Sequence, residues 1–480
     1  MWGQKQSAMI TEAMLSQLLL DIDYKGKMIN SKIADDVFVL SDGIFEHYMP
    51  KKSIQQMEKN GAKNLNTKFR HMMSGLIDKH IADFFKFSNQ LQNKKLKQLS
   101  NNEIKKIIDI YHNYLIKTFA YFETSTPAGT AKLVKNIRDI LKKEIKQKNL
   151  IEDYFISLSS PEELDSTMLE RLDFLKLIKN KKYSVKNLTQ HARKYPALFF
   201  NTYNNSEIVN FLKNRFKEES DKNYLEEKYK MDKNLKEIRE KHKKIYTIIQ
   251  NRKLQDYAMA LQKTALNRYR LKHVWSGAEY LCLNLLKELS KRIGIDFEDF
   301  IKCYLFKDIY NFLEKDTKLN TQQISDRKHC LLIHYLNKKT HYYFGKEAKN
   351  LKHTLLFNQE QQIDKITSDI KGSIANKGVV RGLARVVNVK DLNQFIKDSK
   401  AFQRGEILVT TMTSPVMVPI IEKAAGIITD EGGITSHAAV VSREFKIPCI
   451  VGTHGASSII KTGDMVKLDA DQGVVKIVKY

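Results

Sequence analysis

The chain has 480 residues, 42% hydrophobic and 10% aromatic, enough apolar material for about two to four packed domains, which excludes a disordered polymer. Its formal charge is +26, but residues 373–480 carry 14 basic and 10 acidic side chains, so the excess lies upstream. There, lysine and asparagine are spread out rather than gathered in one arm, which reads as general lysine richness, and a nucleic-acid partner is not expected.

Cys282, Cys303, Cys330 and Cys449 form no CxxC pair, so neither a disulfide framework nor a structural zinc site is expected, and no metal ligands are assigned. No apolar run reaches membrane-spanning length, and no basic start precedes a long apolar core at the N-terminus. The expectation is a cytoplasmic protein with no membrane span and no signal peptide.

Residues 1–150 read as a mainly helical domain. A first helix is expected over 1–20 and a short extended segment over 32–40. Helices at 66–92 and 100–120 follow, the second with Ile104, Ile107, Ile108, Tyr111 and Leu115 at helical spacing. Thr124-Ser125-Thr126-Pro127-Ala128-Gly129-Thr130 is punctuation before a helix at 132–148.

Residues 151–366 read as a second helical domain, suited to a substrate or partner. Ser160-Pro161-Glu162-Glu163 has the form of a helix start, and no proline occurs between Pro196 and Pro415. The stretch 206–286, rich in Lys, Glu and Leu, predicts a long charged helical hairpin. Gly294 fits a helix end, with Asp296 capping the next helix through residue 313. Arg268, Arg270 and Lys272 cluster beside Tyr269, His273 and Trp275; they are candidate substrate or anion contacts, although a basic solvated face is the plainer reading.

Residues 367–372 read as a linker, with Gly372-Ser373 and Gly378 allowing a hinge. Ten of the 20 glycines fall in 373–480, where strands are expected at 378–389, 406–410, 426–429, 448–451, 465–469 and 473–478. Helices are expected at 391–399, 415–423 and 437–445, giving a compact α/β unit.

One stretch in that unit carries chemistry. An apolar run, Ala424-Ala425-Gly426-Ile427-Ile428-Thr429, leads through Asp430-Glu431 into Gly432-Gly433-Ile434-Thr435-Ser436-His437-Ala438-Ala439-Val440-Val441-Ser442-Arg443. Gly432 and Gly433 let the backbone turn tightly and approach a ligand, and Thr435 and Ser436 are hydroxyl donors and helix caps. His437 then stands in the first helical turn, where unpaired N–H groups and the helix dipole favour an anion. A neutral imidazole is a nucleophile near neutral pH, so a phosphoryl group on His437 meets a site built for negative charge.

This run, with Ile447-Pro448 and Val451-Gly452 behind it, resembles the phosphohistidine signature of the phosphoenolpyruvate-utilising enzymes, a family that includes phosphoenolpyruvate synthase, pyruvate phosphate dikinase and rifampicin phosphotransferase. Flanking stretches are also similar: 378–384 to the opening strand pair, 408–415 to the strand and loop beside the histidine, and Gly463-Asp464-Met465-Val466 with Leu468-Asp469 to the closing hairpin. The resemblance implies a multidomain chain, mainly α-helical in its N-terminal region, followed by a C-terminal α/β (β/β/α) swivelling phosphohistidine domain. It makes His437 the phosphorylated residue, with Gly432, Gly433, Thr435, Ser436, Thr413 and Arg443 binding or supporting the phosphate.

The family's donors are an ATP-grasp domain or a barrel that binds phosphoenolpyruvate, and neither pattern is evident in residues 1–372. The resemblance therefore implies a phosphotransferase component fed by an ATP-grasp or phosphoenolpyruvate-binding partner protein. Magnesium is expected with the ATP or phosphoenolpyruvate at that donor site, and a small molecule is the acceptor. The rival expectation is a non-catalytic phosphohistidine carrier or regulator that acts through helical partner binding.

Overall fold

The structure, a computed structural model, describes residues 4–5, 9–10, 35–41, 44–199, 202–336, 339–363, 370–387, 392–434 and 436–478. The helix expected at 1–20 falls almost wholly outside them. The chain forms two interleaved units rather than three consecutive blocks. One comprises Met1–Gly61, His71–Gly129 and Leu271–Lys365, the other Ala62–Arg70, Thr130–Arg270 and Ile366–Tyr480.

The first unit joins helices to an antiparallel sheet made of β1 (Gln4–Lys5), β2 (Asp35–Ser41), β3 (Ile44–Tyr48), β4 (Leu331–Leu336) and β5 (Lys339–Phe344), in the order β1-β3-β2-β4-β5. The β4–β5 hairpin corrects the expectation that 151–366 is helical throughout. Leu331, Leu332 and Ile333 are consecutive and all buried, so β4 lacks the alternation that marks a half-exposed strand. The expected helix from Asp296 is also two helices, Phe297–Cys303 and Phe306–Lys315, broken at Tyr304-Leu305; Asp296 does cap the first, and Gly294 takes φ 77° at the preceding C-terminus.

From Thr130 onward the second unit contains most of the helix Pro127–Glu144, then Lys148–Leu158 and Ser166–Lys179. Asp165, not Ser160, caps the third of these: Asp165 Oδ1 accepts from the Thr167 and Met168 N–H groups, whereas Ser160 Oγ turns back to the Ile156 carbonyl. The charged stretch then forms Asn205–Glu218, Tyr224–Ile248 and Arg252–Trp275. Ile137, Leu141, Phe155, Leu158, Ile245, Ile249, Leu254, Ala258 and Leu261 make the core of this helical layer, and Ile434 of the glycine-rich turn packs against it.

Its C-terminal part is an α/β domain with β6 (Ile370–Lys371), β7 (Ser373–Asn376), β8 (Val379–Val386), β9 (Ile407–Thr410), β10 (Gly426–Thr429), β11 (Cys449–Val451), β12 (Met465–Asp469) and β13 (Val474–Ile477). The order is β6-β13-β12-β8-β9-β10-β11-β7, and β8, β9, β10 and β11 are parallel. Because β6 and β7 are separated by Gly372 alone, one continuous segment seals both ends of the sheet. A Cβ at Gly372 would stand 2.6 Å from Ile450 Cγ2 and 2.8 Å from the Val451 carbonyl oxygen, so only glycine passes at this seam. Ile370 and Lys371, expected in the linker, thus belong to the sheet, and Ile370 joins Ile407, Val409, Ile428, Ile450, Val466 and Leu468 in its core.

The α/β domain is tied to the helical layer by a buried ionic network. Glu170 pairs with Arg215 at 2.6 Å and with His191 at 2.7 Å, and Arg215 also holds Glu219 at 2.7 Å. Arg171, 1% exposed, reaches Glu219 at 3.4 Å, Glu227 at 3.5 Å and, across to the α/β domain, Glu422 at 2.6 Å. Lys222 adds a 2.7 Å contact to Glu422. Burial opposes the charged form of Glu170, but Arg215 and the His191 hydrogen bond outweigh it and lower its pKa to about 2. A depressed carboxylate contributes stability above its unfolded pKa, and that stability is lost as pH falls through about 4.5 toward about 2. Glu170→Gln should therefore cost roughly 3 kcal/mol near neutral pH, the order expected for a broken buried pair. In denaturant melts at falling pH, the gap from wild type should narrow below about pH 4.

Candidate functional site

The site stands at the carboxyl ends of β9 and β10, where open parallel strands present their loops. Two backbone hydrogen bonds continue the ladder past the strands, Asp430 N–H to the Thr410 carbonyl at 3.1 Å and Glu431 N–H to the Thr411 carbonyl at 2.9 Å. They hold the 411–413 loop beside the glycine-rich turn. Gly432 takes φ 111°, and a Cβ there would sit 2.9 Å from Ser436 Cβ and Oγ. Gly433 supplies the carbonyl that accepts from the Ser436 N–H at 2.8 Å. Ser436, at φ −72° and ψ 165°, then caps the helix His437–Glu444, its Oγ accepting from the Ala439 N–H at 3.4 Å.

His437 is 4% exposed, and its Nδ1 lies 2.8 Å from Thr413 Oγ1. The hydroxyl fixes the ring plane, which leaves Nε2 as the nitrogen for chemistry. Facing the imidazole is Tyr269 of the helix Arg252–Trp275, in an edge-on contact with ring centroids 5.7 Å apart. Tyr269 is buried, its hydroxyl has no hydrogen-bond partner among the described residues, and desolvation pushes its pKa well above the usual phenol value.

The expected site residues sort clearly. Gly432, Gly433, Ser436, His437 and Thr413 come together, whereas Thr435 lies outside the described residues. Arg443 acts as a clamp: its Nε donates to the Ala375 carbonyl and its Nη2 to the Ile434 carbonyl, each at 2.9 Å, tying β7 to the turn. Its third nitrogen, Nη1, has no hydrogen-bond partner among the described residues, and desolvation lowers its pKa to about 10. Arg268, Arg270 and Lys272 are half-buried on Arg252–Trp275 rather than on a solvated face, and Arg270 Nη1 donates to Asn267 Oδ1 at 3.4 Å. Trp275 packs instead in the other unit, against Phe119 and Phe122.

Two further residues were not legible as site residues. Glu444, at the far end of the histidine helix, faces Asp165 of the helical layer. Burial and the neighbouring Asp165 charge push the Glu444 pKa well above the usual carboxylate range, and burial raises Asp165 to about 6. A heptad or strand pattern carries no signal for such a pair, because its members lie 279 positions apart.

Residues 402–473 match the family model described as "PEP-utilising enzyme, mobile domain". A protein of Staphylothermus marinus named "Probable phosphoenolpyruvate synthase" is 47% identical over 106 residues, 22% of this chain and 12% of that protein. The phosphoenolpyruvate synthase of Pyrococcus furiosus is 44% identical over 125 residues, 26% of this chain and 15% of its own length, and that of Aquifex aeolicus is 44% identical over 104 residues, 22% and 11%. The C-terminal part of this chain is a mobile domain of the phosphoenolpyruvate-utilising enzymes. The chain spans only about an eighth of the length of these relatives.

Two outcomes test this geometry. Thr413→Val should release the imidazole, seen as a change in the 15N shift of Nδ1 and a stability loss of about 1 kcal/mol, and Thr413→Ser should restore both. An acid whose pKa is raised by folding makes the folded state bind more protons, so stability falls as pH rises above the unfolded value. Glu444→Gln should therefore melt higher than wild type near pH 8, and the difference should shrink toward pH 5.

Proposed function

We propose that this chain is a phosphotransferase component in which His437 carries a phosphoryl group. It is loaded at a donor site for ATP or phosphoenolpyruvate on a partner chain and passes the group to a small molecule held against the helical layer. The observation that carries the reading is the buried imidazole at a Ser436-capped helix N-terminus, its Nδ1 held by Thr413, within a mobile domain of this family.

In the loading step the bond from the donor's bridging oxygen to phosphorus breaks as the Nε2–phosphorus bond forms. In delivery an acceptor hydroxyl attacks phosphorus, the nitrogen–phosphorus bond breaks, and the hydroxyl proton leaves to solvent. The imidazole is then restored. Both transfers need in-line approach and neutralised oxygens, which the helix N-terminus supplies in part; in delivery, with the domain docked, the buried Tyr269 hydroxyl adds a donor. Magnesium accompanies the donor's phosphates. Among the described residues no group of three or more His, Cys, Asp or Glu is arranged to hold a metal, and no step above runs through one.

Docked against Tyr269, His437 is too enclosed to meet a nucleotide, so loading requires the histidine helix to leave the helical layer. Purified protein offered labelled ATP or phosphoenolpyruvate with magnesium and cell extract should gain an acid-labile, alkali-stable phosphate that His437→Ala abolishes. Label without extract would place the donor site within this chain, and no label with either donor would sink the phosphohistidine reading. Glu422→Lys, which sets a cation against Arg171 and Lys222, should undock the domain and speed labelling several-fold.

A further inference from the structure

Beyond the histidine, the second unit contains a cavity of about 630 Å³ that no step above uses. One wall is a single face of the helix Tyr224–Ile248, with Glu237, Lys241, Lys244, Ile245 and Ile248 at helical spacing. Tyr154 and Ile156 of Lys148–Leu158 continue the apolar surface, and the mobile domain closes the other side with Arg443, Glu444 and Lys446.

The charges lining it do not cancel. Lys377 pairs with Asp153 at 2.5 Å and Lys446 with Glu237 at 3.1 Å. Glu444 is held toward its neutral form by burial beside Asp165. Lys241, Lys244 and Arg443 remain, and none of the three forms an ion pair among the described residues. The Arg443 guanidinium is the most constrained, since its carbonyl contacts satisfy hydrogen bonds without neutralising its charge. An apolar floor with an unmatched cationic rim, at a volume typical of ligand pockets, defines its occupant chemically.

We propose that this cavity binds a small organic anion, a carboxylate or phosphate head on an apolar body, bridging Arg443 of the mobile domain to Lys241 and Lys244 of the helical layer. The head meets the three cations, and the body covers Tyr154, Ile156 and Ile248. Arg443 lies six residues beyond His437, about 9 Å along the helix, so the site is separate from the nucleophile. A ligand that touches both sides favours the docked arrangement by mass action. The proposal does not depend on phosphorylation of His437.

The test is calorimetric titration of the full chain with 1-naphthyl phosphate, alongside inorganic phosphate and 1-naphthol. Naphthyl phosphate should bind at least tenfold tighter than either fragment, with one site per chain. Lys241→Gln with Lys244→Gln, both at exposed positions, should weaken it about fivefold or more. Ile248→Asn, at a side chain 62% exposed, should weaken naphthyl phosphate but not inorganic phosphate. His437→Ala should bind as wild type. The proposal is overturned by absence of saturable binding, by affinity equal to that of inorganic phosphate, or by insensitivity to the lysine pair. Loss of binding in a folded His437→Ala protein would overturn it too, by placing the anion at the histidine.

Discussion

The steric constraint at Gly432 governs the site. Its φ of 111° lets the chain reverse within hydrogen-bonding reach of β10, and the space beside it is filled by Ser436. Any side chain there would push Ser436 from the helix start, and His437 would leave Thr413. Gly452, at φ 70°, matches it from the next loop: a Cβ there would stand 3.0 Å from the Gly432 carbonyl oxygen. Two backbones thus meet where neither tolerates a side chain. Asp430 completes the frame by accepting from the Ser457 N–H at 2.9 Å, which fixes the loop that holds Gly452.

What holds the histidine against the helical layer is a mixture of interactions with different pH responses. Glu422 enters a network with Arg171 and Lys222 of the helical layer. Glu444 and Asp165 are two acids facing each other in a desolvated place, and they favour docking only while a proton is retained. Ile434 adds an apolar component that pH does not reach. The docked state is therefore a balance of opposed terms.

The α/β domain was readable because its information is local. The strands at 426–429 and 465–469 were placed to the residue, since a short apolar run between glycines and acids leaves little choice of ends. The glycine pair and Ser436 announce the turn and cap on their own. The helical region hid more. Leu331–Leu336 opens with three consecutive buried residues and so lacks a clean period-two pattern, and Ser160-Pro161 imitates a helix start that Asp165 provides instead. Tyr269 appeared in the sequence only as one aromatic among cations. Its place over His437 depends on packing between segments 168 residues apart, which no spacing encodes.

The seam at Gly372 bears on how this domain behaves when taken from its context. β6 covers Val474 and Val475 of β13 while β7 covers Cys449–Val451 of β11, so one segment shields part of both outer strands from pairing with a second molecule. A fragment begun at Ser373 would strip β6 from β13 and uncover N–H and C=O groups beside the buried Val475, inviting self-association. One begun a few residues before Ile370 keeps the seal. Three residues that a domain boundary drawn from sequence assigns to a tether thus shield the start of β13, and a fragment without them exposes more backbone to a neighbouring molecule.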